Sequence, residues 1–317
     1  MAASIPPTAD CADSAGQALL PAWRHAARQQ PWLAAGLLAL LLAMLALSAQ
    51  GVWRLWTAET PLAWQDGVLG GLAGAVTTAL GAALALGLRQ VSARSEDAML
   101  GFAAGMMLAA SAFSLILPGL AAARALTGHG GLAALVVCAG ISLGVLLMLG
   151  LDQFMPHAHP HGGPCGPGHA RVSRVWLFVW AIALHNLPEG MAIGVGFAQN
   201  DWQVAMPLTT AIAVQDIPEG LAVAISLRAA GMAVGRAVLL AAATGLMEPL
   251  GALLGVSLSS GWALAYPLGL GLAAGAMLFV VSHEVIPETH RHGHQTTATL
   301  GLMAGFMLML ALDTGLA

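Results

Sequence analysis

Nine long apolar runs, divided by short polar stretches, set the rhythm of this chain: roughly 31–53, 66–88, 99–120, 131–151, 175–198, 204–226, 236–258, 263–287 and 297–316. A helix crosses the hydrocarbon core of a bilayer with about 20 such residues. The runs are far longer than the alternating ten-residue segments of a membrane barrel. The pattern therefore predicts an all-α fold, a polytopic membrane helix bundle. Inside several runs the apolar pattern is interrupted by prolines, carboxylates and two imidazoles. These interruptions carry the chemistry.

Composition strengthens the assignment. Of 317 residues, 58% are hydrophobic and 8% charged, with a mean hydropathy of +0.79. Soluble domains carry about 25% charged residues, three times as many. The net charge of −4 decides little, because most acids lie within apolar runs. No basic patch offers itself to phosphates, so no nucleic-acid partner is expected. Cys11, Cys138 and Cys165 are widely spaced and give neither a disulfide framework nor a thiolate metal site.

The arginines orient the bundle. With a cytoplasmic N-terminus, the inside sequences carry Arg24, Arg28, Arg89, Arg94, Arg171, Arg174, Arg228, Arg236 and Arg291, and the outside ones only Arg54 and Arg124. Nine against two satisfies the positive-inside rule and puts the C-terminus outside. The run at 31–53 has a competing reading as a signal-peptide core ending near Ala46–Ala49. The thirty residues before it, Pro6 and Pro7 among them, make a retained helix the expectation.

The longest loop, 153–174, is rich in Pro and Gly and holds His157, His159, His161 and His169 with Cys165. Such a composition reads as a flexible cytoplasmic segment. His290, His292 and His294 form a second group on the same side. Both groups are either solubilising loop chemistry or weak metal sites that collect or sense ions.

The decisive signal is a near-duplication: HNLPEGMAIG at 185–194 and QDIPEGLAVA at 215–224, both inside apolar runs. His185 and Glu189 are four residues apart and share a helical face, with Asn186 about 100° round the helix. Gln215, Asp216 and Glu219 repeat the arrangement. Pro188 and Pro218 lack an N–H, so each leaves a carbonyl, of Leu184 and Val214, without its usual helical donor. A carboxylate at bilayer depth costs roughly 2.5–3.5 kcal/mol on insertion scales, which makes the doubled cluster a functional site by default.

Imidazole, amide and carboxylate are ligands for divalent cations. Packed face to face, the two helices would bring Glu189 and Glu219 together, and one carboxylate can bridge two ions. Glu248, beside Pro249, adds a further acid at mid-span. Glu189, Asp216, Glu219 and Glu248 around two dications would balance charge, so metal entry is expected to displace protons. Met107 offers a thioether, and also reads as plain core packing. His283 and Glu284, a turn before Pro287, read as a stepping site toward the cytoplasmic end, while Asp152 and Asp313 are further candidates. Glycines four residues apart, such as Gly70/Gly74 and Gly251/Gly255, allow close helix approach.

HNLPEG followed by QDIPEG, then the Glu-Pro-Leu-Gly helix and the His-Glu helix, resembles the ZIP (Zrt/Irt-like) family of divalent metal transporters, with its bacterial GufA-like branch nearest. The resemblance covers about residues 64–317 and implies an eight-helix transport domain there. The segment at 31–53 is then an extra N-terminal helix, preceded by a cytoplasmic tail at 1–30. It implies a homodimer in a bacterial inner membrane, with His185, Glu189, Gln215 and Glu219 holding one ion and Met107 assisting. Asn186, Asp216 and Glu248 would hold a second, bridged by Glu189 and Glu219. It also implies movement toward the cytoplasm, by an elevator-like shift of one bundle against another.

Family substrates include zinc, iron, manganese, cadmium and cobalt. The ligand set suits zinc first, with cadmium accepted, and the absence of thiolates argues against Cu(I). The bound ion is the substrate, and no resident cofactor is expected. Two alternatives compete. An intramembrane metallo-hydrolase would usually show HExxH, which does not occur here. A metal exporter would use the same ligands in the opposite direction.

Overall fold

The computed structural model describes residues 24, 27–57, 62–88, 92–154, 157–159, 163–165, 174–200, 202–229, 231–259, 263–290 and 292–316. Among them, helices fall on all of the apolar runs: α1 (Pro31–Trp56), α2 (Leu62–Leu84), α3 (Ala93–Thr127), α4 (Gly130–Phe154), α5 (Arg174–Phe197), α6 (Trp202–Ala229), α7 (Val234–Ser259), α8 (Ala265–Thr289) and α9 (Gln295–Leu316). Seven of these, α2, α3, α4, α6, α7, α8 and α9, are long and apolar enough throughout to cross a membrane. The polytopic all-α bundle expected from the pattern is the observed architecture. Most of the tail at 1–30 lies outside the described residues.

The burial pattern is inverted relative to a soluble helix. On α2 the buried face is Gly67, Gly70, Gly71, Gly74 and Thr78, while Leu69, Leu72, Val76 and Leu80 are exposed. Lipid tails are as apolar as leucine, so large side chains gain nothing by leaving them. Small residues instead let backbones meet. Gly190 and Gly251 show this between α5 and α7. A Cβ on Gly190 would collide with the Glu248 carbonyl, and one on Gly251 with the Leu187 carbonyl.

Three helices widen or break along their length, each just ahead of a proline. α3 extends to 35 residues, starting where the Ser92 side chain accepts a hydrogen bond from the Ser95 amide and ending at the left-handed Gly128. It widens to a π-helix over Ala110–Ile116, just ahead of Pro118. α8 does the same over Val281–Val285, just ahead of Pro287. α7 is interrupted at Gly245–Leu246, shortly before Pro249. A proline removes one helical hydrogen bond and crowds the preceding turn, and a wider turn accommodates both effects.

The loop at 153–174, expected to be a flexible segment, contains a short hairpin. β1 (His157–His159) pairs antiparallel with β2 (Gly163–Cys165), His157 opposite Cys165. His161 and His169 lie outside the described residues. In the bundle, α4 packs on α8, α3 on α9, α5 on α7 and α2 on α6. The site lies where α2, α5, α6 and α7 converge.

Candidate metal centre

α5 and α6 stay helical through Pro188 and Pro218, so the motif residues keep their helical spacing. His185, Asn186, Glu189, Gln215 and Asp216 are buried, and Glu219 is part-buried. One carboxylate oxygen each from Glu189, Asp216 and Glu219 lies within 4.8 Å of the others. The Gln215 amide donates to Glu189 Oε1 at 2.5 Å. The other Glu189 oxygen, the Gln215 carbonyl oxygen and the Asn186 carbonyl oxygen are buried and accept no hydrogen bond.

An orphaned buried acceptor costs about 1–3 kcal/mol, more if charged. Two amide oxygens and one carboxylate oxygen left without donors, within a cluster of three carboxylates, form a pocket of lone pairs with too few donors. A divalent cation satisfies such a pocket, and its charge offsets that of the acids. The donor set fits the ion.

α7 and α2 complete the cluster. Glu248, buried in the first turn after the α7 break, accepts a hydrogen bond from the Thr78 hydroxyl at 2.8 Å. The Thr77 hydroxyl donates to Asp216 Oδ2 at 3.3 Å. Both carboxylates occupy the space beside Gly74: a Cβ there would collide with Glu248 Oε2 and sit 3.2 Å from Asp216 Oδ2. Gly74 is thus more than a helix-packing residue, because its missing side chain is the room the acids fill.

The remaining candidates are distributed differently from the sequence expectation. Glu284 reaches back to the main cluster, with its Oε2 2.7 Å from His185 Nε2. His283 faces a different set of partners: it stacks on Phe279 with ring centroids 5.0 Å apart and lies 3.9 Å from Asp152. Met107 is buried in the apolar core that also contains Leu187 and Met191. Its carbonyl accepts from the Ser111 hydroxyl at 2.8 Å inside the widened stretch of α3. Asp313 accepts from the Ser114 hydroxyl at 2.7 Å, tying α9 to α3.

Thr77, Thr78 and Gly74 escaped the sequence reading as site residues. Only the adjacent threonines, polar within the Gly/Ala-rich middle of α2, marked the place.

Comparison with known proteins identifies the family. The ZIP zinc transporter family pattern matches residues 155–313, half of the chain. The chain is 62% identical over 295 residues to zinc transporter ZIPB of Bordetella bronchiseptica, covering 93% of this chain and 96% of that protein. It is 42% identical over 250 residues to zinc transporter GufA of Myxococcus xanthus, covering 79% of this chain and 98% of that protein. Similarity extends to zinc transporter ZIP11 of Bos taurus, 31% identical over 319 positions that cover 75% and 94% of the two chains. Membership among transporters sets aside the intramembrane hydrolase. With a doubled Pro-Glu-Gly motif, a buried carboxylate cluster and relatives matched over nearly their whole length, this chain belongs to the ZIP family of metal transporters.

Proposed function

We propose that this protein carries divalent transition-metal ions, zinc first and cadmium also, across the membrane toward the cytoplasm through a two-ion site. The observation that supports this best is the convergence of Glu189, Asp216 and Glu219 from two near-identical motifs, with buried acceptors left over around them. In this reading His185, Glu189, Gln215 and Glu219 hold one ion, and Asn186, Asp216 and Glu248 hold the other. Glu189 and Glu219 bridge the two. The relatives named as zinc transporters support zinc as the leading substrate.

Each ligand has a task in such a path. The paired acids replace the hydration shell that a dication loses on entering the bilayer. Gln215 orients Glu189 through its amide and leaves its own carbonyl oxygen to the ion. Thr77 and Thr78 hold Asp216 and Glu248 in place at the second position. Glu284, bonded to His185, offers the next carboxylate along α8. A chain of alternating ligands lets an ion leave one set as it gains another, so no single site need bind too tightly to release.

The arginine asymmetry supports an N-terminus inside and a C-terminus outside in a bacterial inner membrane. The family resemblance extends the proposal to a homodimer with an elevator-like motion. Equilibrium zinc binding to purified protein tests the two-ion reading. Two intramembrane ions are expected, with one lost in Glu248→Ala; a single ion unaffected by that change would leave only a mononuclear site.

A further inference from the structure

A second group of metal-ligating side chains lies outside the carboxylate cluster, where α3 and α9 begin and α8 ends. Asp97, in the first turns of α3, is fully buried. Its two oxygens meet two imidazoles: His292 Nδ1 at 2.8 Å from Oδ1 and His294 Nδ1 at 2.9 Å from Oδ2. Both rings come from the turn between α8 and α9, which passes through Gly293 at φ +81°. An L-residue would hold a left-handed conformation at a cost of roughly 1–2 kcal/mol, so glycine suits the position between the two rings.

The hydrogen bonds fix the chemistry of the rings. A neutral imidazole that donates from Nδ1 carries its lone pair on Nε2. Metal-binding histidines are commonly held this way, with a carboxylate behind the ring setting tautomer and orientation and raising ligand basicity. Here one buried carboxylate serves two rings at once. The side chains of His292 and His294 are 36% and 37% exposed, so ions can approach them. Glu96 and Glu288 stand close enough to interact electrostatically with each other, and Glu96 also with His292. Their negative charge favours positive charge at this place.

We propose that His292 and His294, oriented by Asp97, form a docking site for a divalent cation that accepts imidazole, zinc first, at the end of the bundle the arginine count assigns to the cytoplasm. The ion binds through the two Nε2 atoms, with water completing its coordination. Asp97 is a positioning residue, because its oxygens face the rings rather than the ion. The site is independent of the intramembrane cluster and would exist whichever way that cluster moves ions.

The test counts zinc bound by the full chain in detergent with zinc chloride as the only added ligand, in a Glu189→Ala/Glu219→Ala background that weakens the intramembrane cluster. Adding His292→Ala and His294→Ala is expected to remove one bound ion. Asp97→Asn is expected to keep the count but weaken that ion by about 10–100-fold, the usual effect of losing the group behind a ligating ring. The unsubstituted chain supplies a second readout that needs no variant: zinc is expected to protect His292 and His294 from diethyl pyrocarbonate, measured by mass spectrometry. An unchanged ion count in the histidine variant, or equal reactivity of both rings with and without zinc, overturns the site. Full affinity in Asp97→Asn overturns the role given to Asp97.

Discussion

Replacing Gly74 by alanine separates metal binding from helix packing. Alanine is the better helix former by about 1 kcal/mol, so α2 itself should not suffer. The new Cβ would collide with Glu248 Oε2, which lies at the free end of a side chain and can swing away. Swinging costs the hydrogen bond from Thr78, now 2.8 Å. A hydrogen bond to a charged group is worth about 1.5–3 kcal/mol, or roughly a 10–150-fold loss in affinity if the whole of it is lost only in the metal-bound form. The assay is zinc affinity by competition with a fluorescent chelator, with thermal stability followed in parallel. Weaker binding at unchanged stability is expected, and the shorter Glu248→Asp should restore part of it in the Gly74→Ala protein. The double change Gly74→Ala/Glu248→Ala should bind no worse than Glu248→Ala alone, since the collision is gone. Full affinity in Gly74→Ala, or equal and additive losses in the double variant, would refute the reasoning.

Three further outcomes follow from the same geometry. Glu248→Ala should lower uptake of radiolabelled zinc while leaving a measurable fraction, because it holds only the second ion; loss as complete as in Glu219→Ala would erase the division into two sites. Zinc affinity should rise between about pH 5.5 and about pH 7.5, since metal ligands must shed protons before they bind and protons compete at the lower pH; a flat profile by equilibrium binding contradicts proton displacement. Changing His157, His159, His161 and His169 together to serine should alter apparent affinity or regulation more than maximum rate, and complete inactivity at normal expression would put that loop in the obligatory path.

Element positions were legible because a bilayer imposes a length. Every apolar run became a helix, and α4, α5 and α9 match their predicted bounds within a few residues. The ends of α3 were not legible, because Ser92 and Gly128 cap it outside the apolar pattern. The π-helices before Pro118 and Pro287 left no periodic trace, since a widened turn changes geometry without changing composition. The hairpin at His157–Cys165 left no sequence trace, because six backbone positions suffice to pair, however rich the segment is in Gly and Pro.

The site divided in the same way. His185, Glu189, Gln215, Asp216 and Glu219 announced themselves by their cost in a membrane and by duplication. Thr77, Thr78 and Gly74 did not, for hydroxyls and glycines are ordinary in membrane helices, and only tertiary contact with Glu248 and Asp216 gives them a task. The bond from Glu284 to His185 joins residues 99 positions apart, a pairing that no local spacing encodes. Asp97 was hidden for the same reason, since its partners arrive from the far end of the chain.

The central claim is that ions pass through the carboxylates of Glu189 and Glu219. Uptake of radiolabelled zinc into proteoliposomes containing the purified protein, beside Glu189→Ala and Glu219→Ala, tests it most directly. Saturable uptake by the parent, competed by cadmium and lost in both variants, is the predicted result. Near-normal uptake in either variant would contradict it.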